Sequence, residues 1–280
     1  MTTALKALMV LTLPLISSLA MAQGSGGLYN SYKLQFTNDE NYTFKGDLYT
    51  IASHVDDGWD TGKASFAGTR RLIDFSKSKV ITRFGFVSHY GGGKQEFTQD
   101  DMTFIADSAA GSHRFAFTQA KGFYIAGGNL TLCLCEVLRD LIHGTEGSTI
   151  ATQNFVLVSD AVYDDESYYP SRIGSPEASP KFNLAQLERA SGVTDEVLAE
   201  YMHERVIGKY GVFCAGQNYY RHADINPADY TFEVYRGTKL ISKVGTKGRL
   251  IRLIVAPTQD LETVSQAFGL DKHYPVNNPF

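Results

Sequence analysis

The chain has 280 residues, 43% of them hydrophobic and 20% charged, which is enough for one large domain or two small ones around a sizeable core. A formal charge of -4, spread without blocks, argues against nucleic acid and against anionic membrane surfaces as partners. No repeat period runs along it, and only 3 cysteines are present.

Met1 to Ala22 has the layout of a secretory signal peptide: a positive charge at Lys6, an apolar run from Ala7 to Leu19, and small residues at Ala20 and Ala22. The expected cut lies between Ala22 and Gln23. The apolar run is shorter than the roughly 20 residues of a membrane span, so the mature chain, residues 23–280, is expected to leave the membrane and to be secreted or periplasmic. In such an oxidising compartment cysteines usually pair, and three cannot all pair within one chain. Cys133 and Cys135 are i, i+2 neighbours, which on a helix point in different directions and do not readily bridge each other. At least one thiol is left over, either an inert buried group or a nucleophile.

After a glycine-rich leader, "DLYTIASH" (47–54) reads as a strand, "DDGWDTG" as a turn-rich loop, and "KASFAGTRRLIDFSKS" (63–78) as a helix with Phe66, Leu72, Ile73 and Phe75 on much of one face. "KVITRFGFVSH" (79–89) is a second strand, followed by the glycine-rich "YGGGKQEF". Residues 98–118 are ambiguous, with turn signals at Asp107 and Gly111. "KGFYIAGG" (121–128) is a third strand, "LTLCLCEVLRDLIHG" (130–144) a helix, and "NFVLVSDAVYDD" (154–165) a fourth strand running into acidic residues. Near-continuous apolar strands alternating with helices predict a parallel sheet covered on both faces. The expected fold is α/β, a three-layer sandwich with a mostly parallel, Rossmann-like sheet and helices on both faces. Ile51, Val87, Tyr124 to Ala126 and Val156 to Val158 are expected in one core. Residues 170–280 read as a helical and β-rich extension of the same domain, with a helical pair over 183–211 and a last strand, Leu250 to Ala256, able to join the main sheet.

Open parallel sheets bind ligands beyond the carboxyl ends of their strands. That edge is expected to carry His54, Asp56, Asp57, His89, Lys94, Cys133, Asp160, Asp164 and Asp165, a mixture in which a base or cation could raise the thiolate fraction of Cys133. Ordinary roles compete. One of Asp56 and Asp57 suits the turn before Gly58, and Asp160 suits a structural cap. His54, His89 and His113 share a Ser-His pattern, but their spacing matches no compact metal motif, and neither metal nor cofactor is expected. Gly127 and Gly128 end a strand, and backbone N–H groups from there into the helix start could face an anion.

"YIAGGNLTLCLCEVLRDLI" followed by "NFVLVSDAV" resembles the isochorismatase-like cysteine hydrolases, which include nicotinamidases. Gly127 and Cys133 have the family's glycine-to-nucleophile spacing, and Asp160-Ala161 matches the end of its next strand. The similarity covers residues 122–162 and, in element order only, 47–89. It implies that Cys133 is the nucleophile, that the N–H groups of Asn129 and Cys133 form the oxyanion site beside Gly128, and that the Gly128–Asn129 peptide bond is unusual. An aspartate after the first strand and a lysine after the second complete the implied triad. Ser53 and His54 stand where the aspartate is expected, with Asp56 and Asp57 just beyond and Asp57 the candidate; Lys94 or Lys121 is the lysine.

Two functions remain open at this point. One is an exported hydrolase that attacks an amide or related carbonyl of a small-molecule substrate through Cys133, with Asp57 and Lys94 as catalytic partners and Gly128, Asn129, His54 and His89 in binding. The other is a non-catalytic exported binding or interaction domain on the same fold, with Cys133 packed and Cys135 or Cys214 structural.

Overall fold

A computed structural model describes residues 36, 41–55, 65–87, 97–107, 114–128, 130, 133–165, 181–183, 193–208 and 225–274. The expected signal peptide lies outside them. In chain order the elements are β1 (Tyr42–Phe44), β2 (Leu48–Ser53), α1 (Phe66–Ser78), β3 (Thr82–Val87), β4 (Phe104–Asp107), β5 (Phe115–Phe117), β6 (Gly122–Ala126), α2 (Cys133–Gly144), β7 (Thr152–Val158), β8 (Tyr163–Asp165) and β9 (Lys181–Asn183). There follow α3 (Asp195–Met202), β10 (Tyr230–Arg236), β11 (Lys239–Val244), β12 (Arg249–Ala256) and α4 (Leu261–Ala267).

Eight strands form one sheet in the order β11-β10-β12-β7-β6-β2-β3-β4. Every neighbouring pair is parallel except the β10–β11 hairpin at one edge. The four strands expected to be parallel neighbours therefore are: β3, β2, β6 and β7 lie side by side. The central strands lack a polar face. All six residues of β2 and all five of β6 are buried, as a parallel strand covered on both faces requires.

The expected single core is divided by the sheet. Pleating sends successive side chains to opposite faces, so Phe123 and Ile125 join one cluster while Tyr124 and Ala126 join another. On the first face lie Leu134, Leu138 and Leu141 of α2, Leu198 and Tyr201 of α3, and a pile of aromatic rings under the two-stranded parallel ribbon β1–β5. Within that pile Phe123 and Phe155 stack at 5.3 Å and Tyr49 and Phe123 at 5.7 Å. On the second face Leu72 of α1 and Leu261 and Val264 of α4 meet Tyr124, Val156, Val158 and Ile254. Val87 and Ala52 pack separately with Ile73, Val55 and Met102.

Two further expectations are corrected. The ambiguous stretch 98–118 contains β4, at the far edge of the sheet, and β5, which pairs with β1. Both are too short and too close to turn residues to show a period. The acidic end of the fourth strand is no continuation of β7: Asp164 and Asp165 belong to β8, which pairs antiparallel with β9. The expected β-rich extension adds β10, β11 and β12 to the same sheet, with β12 beside β7. Of the helical pair only α3 falls among the described residues, where no helix is long and apolar enough to cross a membrane.

The expected face of α1 packs inward, with Leu72 and Ile73 buried and Phe66 and Phe75 half-buried against their clusters, but the closest approach is made by other residues of the helix. It buries Gly68, Thr69, Leu72, Ile73 and Ser76, small residues that allow a close approach, and Ser76 Oγ lies 2.6 Å from Thr50 Oγ1 of β2. At Gly68 a Cβ would stand 1.9 Å from the carbonyl oxygen of Asp160. Helix propensity alone favours alanine over glycine here by about 0.8–1 kcal/mol. A backbone overlap of that size outweighs it, since relief requires α1 to move off the sheet. Gly68→Ala should therefore cost at least about 2 kcal/mol in urea unfolding, and a stabilised variant would show that α1 is not held that close.

Candidate functional site

The carboxyl ends of β2, β6 and β7 lie side by side, because the strands are parallel and adjacent. From β2 the chain proceeds to β3 on one side; from β6 it proceeds to β7 on the other. This reversal of connection is where an open parallel sheet takes its ligands.

The local backbone follows from glycine. Gly127 and Gly128 have φ of +75° and +69°, so two successive left-handed residues turn the chain directly after β6. At Gly127 an added Cβ would lie 2.1 Å from the carbonyl oxygen of Ser53, the last residue of β2. Close approach and positive φ both demand glycine there. The Gly127 N–H donates to the carbonyl of Ala161 at 2.9 Å, tying the turn after β7 to the turn after β6. His54, directly after β2, also has positive φ, 59°, a conformation that costs a side-chain-bearing residue about 1 kcal/mol or more. The α2 helix begins at Cys133.

Among the predicted site residues, the sheet therefore brings together the backbones of His54, Gly128 and Cys133 at one edge. Asp57, Lys94, His89 and Asn129 lie outside the described residues, as do Asp56 and His113. Lys121 is excluded as the catalytic lysine. It precedes β6 at the opposite edge of the sheet, where its ammonium pairs with Asp47 at 3.1 Å. Asp160 has the structural role. Its carboxylate accepts from the Thr258 N–H at 2.7 Å, the Thr258 hydroxyl at 2.6 Å and the Arg71 guanidinium at 2.6 Å. Burial alone would raise its pKa; the hydrogen bonds from Arg71 and Thr258 overcome that and hold it below the usual aspartate value.

Cys135 is disulfide-bonded and 1% exposed, a structural role. Its sulfur lies 3.8 Å from the Arg205 carbonyl oxygen, a packing contact, since a disulfide sulfur has no proton to donate.

Sequence reasoning missed Ser159. This residue is fully buried, and among the described residues its hydroxyl has no hydrogen-bond partner. No local signal marked it: Ser159 stands in the turn directly after β7, beside the more noticeable Asp160. Among the described residues no group of three histidine, cysteine or acidic side chains is assembled for a metal.

Comparison with known proteins finds no family model, no curated protein and no solved structure that matches this chain.

The Asp160 cluster makes a testable prediction. Asp160→Ala removes a buried acceptor of three hydrogen bonds and should cost on the order of 2 kcal/mol. Arg71→Ala should cost less than about 1 kcal/mol, because that side chain is 55% exposed. With a folded pKa below the unfolded one, the contribution of Asp160 is fully present above the ordinary aspartate value of about 3.9 and is lost as pH falls through the folded pKa. Chemical unfolding from pH 7 to 2 should show wild-type stability falling below about pH 4, with a shallower fall in Asp160→Ala; identical slopes would remove the ion-paired role.

Proposed function

We propose that the protein is an exported cysteine hydrolase of isochorismatase-like design, cleaving an amide or related carbonyl of a small molecule through Cys133. The observation that carries the reading is the start of α2 at Cys133 just after two left-handed glycines, at the point where strand connection reverses. Counted along the chain, the first five strands of the sheet stand in the order 3-2-1-4-5, the order of a doubly wound, Rossmann-like sheet. Helical residues in the clusters of both faces suit a three-layer sandwich.

The helix start supplies two effects at once. Its dipole favours the thiolate of Cys133, and its free N–H groups favour an oxyanion formed beside it. The thiolate attacks the carbonyl carbon, and the tetrahedral oxyanion rests on the N–H groups of Asn129 and Cys133. The amine leaves with a proton, and water then hydrolyses the thioester to release the acid and restore the thiol. Asp57 and Lys94 are the assigned proton-handling partners. None of these steps needs a metal or cofactor.

The disulfide at Cys135 supports export, because such bonds persist in oxidising compartments. Its partner on this reading is Cys214. Cys133 is its i, i+2 neighbour, a pair that a helix does not readily bridge. The pairing leaves Cys133 as the free thiol. Non-reducing peptide mapping should link the Cys135 and Cys214 peptides, and reduction should lower stability by roughly 4 kcal/mol for a loop of this length. A Cys133–Cys214 link would end the nucleophile reading.

The deciding experiment is alkylation of the folded, non-reduced protein with iodoacetamide near neutral pH. Cys133 should be modified at least tenfold faster than free cysteine at the same pH, as a depressed thiol pKa requires, and Cys133→Ala should abolish any amidase activity without unfolding the chain. An unreactive Cys133 would favour the non-catalytic binding domain.

A further inference from the structure

We infer that the cavity between α1, α4 and the chain that follows α4 is a binding site for a primary ammonium group, the head of a small amine. It lies toward the amino ends of the strands, away from Cys133, and does not rest on the hydrolase reading.

The cavity forms where the chain after α4 crosses the amino ends of the central strands. Leu270, 1% exposed, is buried in one cluster with Leu48 of β2 and Tyr124 of β6. Beyond it the Lys272 carbonyl accepts from the Lys121 ammonium, His273 Nε2 donates to the Lys79 carbonyl at 2.6 Å, and the Tyr274 N–H donates to the Asp47 carboxylate at 2.9 Å. These contacts strap residues 270–274 to the segments that lead into β2, β3 and β6. Beneath the strap lies a cavity of about 220 Å³, its open mouth included, with apolar walls from Phe75, Ile81 and Leu270. Every residue that lines it is among the described ones.

The hydrogen bonds around the cavity fix its protons. A carbonyl only accepts, so the Ser265 hydroxyl spends its proton on the Leu261 carbonyl. The Tyr124 hydroxyl, bonded to Ser265 Oγ, must then be the donor there, and Tyr124 Oη is left as an acceptor. By the same reasoning His273 carries a proton on Nε2. In the neutral ring Nδ1 is an acceptor, and it is buried without a hydrogen-bond partner among the described residues. The Lys79 ammonium is taken up by the two oxygens of Glu262, at 2.9 and 2.8 Å. Asp271 is exposed and has no hydrogen bond or ion pair among the described residues. The hydroxyl and imidazole protons are spent, and acceptors remain.

The missing component is a donor, and charge decides which kind. Lys79 and Glu262 neutralise each other, so Asp271 gives the lining an uncompensated negative charge. Burial, with the charges of Glu262 and Asp271 behind it, pushes the Tyr124 hydroxyl up to about 12; a field that disfavours a phenolate favours a cation. Water would supply donors and leave the charge unmet. A primary ammonium brings three N–H donors and a positive charge together, and the apolar walls suit the carbon that bears it. A metal ion fits less well, because among the described residues no group of three histidine, cysteine or acidic side chains is assembled to hold one.

The test uses the full chain at about pH 8, above the ordinary histidine pKa and below that of an alkylamine. Methylammonium chloride is the probe, with sodium chloride at equal ionic strength as the control. Saturation-transfer NMR should show transfer to the methyl protons of the probe. The Tm should rise by about 1–2 °C over the sodium control at saturating probe, since a ligand of the folded state stabilises it. Asp271→Asn should weaken the NMR signal at least fivefold, with a probe-free Tm within about 1 °C of wild type, because the carboxylate is exposed and unpaired. Asp229→Asn, an exposed acid outside the cavity, should leave the signal unchanged. Tyr124→Phe, which keeps the ring and deletes an acceptor, should weaken it independently of Asp271. Ammonium chloride separates the two sources of the head group: stabilisation at least equal to that of methylammonium assigns the site to the free ion, and a smaller effect assigns it to an alkylamine. No transfer to methylammonium, a full signal in Asp271→Asn, an equal loss in Asp229→Asn, or equal stabilisation by sodium would overturn the assignment.

Discussion

The structure turns on one carbonyl oxygen, that of Ala161. It accepts the Gly127 N–H at 2.9 Å and the Thr69 hydroxyl at 3.2 Å, so three elements, β6, β7 and α1, are fixed to one another through a single acceptor. Two glycines make this possible. Without a Cβ at Gly127 the chain can lie against Ser53 of β2, and without one at Gly68 the helix can lie against the Asp160 carbonyl. Asp160 then adds β12 to the junction through Thr258. Each contact is worth only about 1 kcal/mol net, but together they hold the carboxyl ends of the central strands at fixed separations. A site built from strand ends needs its tolerances set in this way.

The rest of the molecule supports the junction without entering it. The rings of Phe44, Phe84, Phe115 and Phe117 make edge, tilted and stacked contacts on one another at 5.0–6.3 Å beneath β1 and β5, geometries in which aromatic pairs add to simple burial. Farther out, four of the six basic residues from Arg236 to Arg252 form ion pairs within the protein. Arg236 and Lys239 pair with Asp195, and Lys243 and Arg252 pair with Glu233. Burial would raise the Glu233 pKa, but its partners Lys243, Arg252 and Tyr235 hold it below the usual glutamate value. These pairs fasten α3 and neighbouring strands of the hairpin edge to one another.

Much of this was legible in the sequence, for a physical reason. Long apolar strands such as "LYTIAS" and "NFVLV" must be covered on both faces, and helix-length segments between them favour parallel neighbours; that β2, β3, β6 and β7 lie side by side and parallel followed from that, while their order did not. What could not be read was anything set by contact across the chain. The strand β4 is four residues long and gains its place from pairing with β3. Asp164 and Asp165 looked like a strand end because nothing local shows that β7 stops at Val158 and a ribbon begins. Lys121 matched a motif position by distance along the chain, yet sits before β6, where Asp47 holds it. The buried face of α1 was read only in part, because Gly68 and Ser76 are invisible to a search for apolar residues, although closeness of helix to sheet is what they provide.

The same edge holds a satisfied and an unsatisfied group side by side. Past Val158 the chain leaves the strand and turns, the Ala161 N–H donating to the Val158 carbonyl at 2.8 Å. Within that turn Arg71 and Thr258 satisfy Asp160, whereas the buried Ser159 hydroxyl has no hydrogen-bond partner among the described residues. An aspartate is by far the more noticeable residue in a search for catalysis, but a carboxylate already accepting three hydrogen bonds has little capacity left for a ligand. The serine has all of its capacity left. Burying such a hydroxyl costs free energy, as does holding His54 in a left-handed conformation, and a fold keeps such features only where the surrounding contacts over-determine the backbone. Here the Ala161 junction does so, which is why the two costs sit on either side of Gly127.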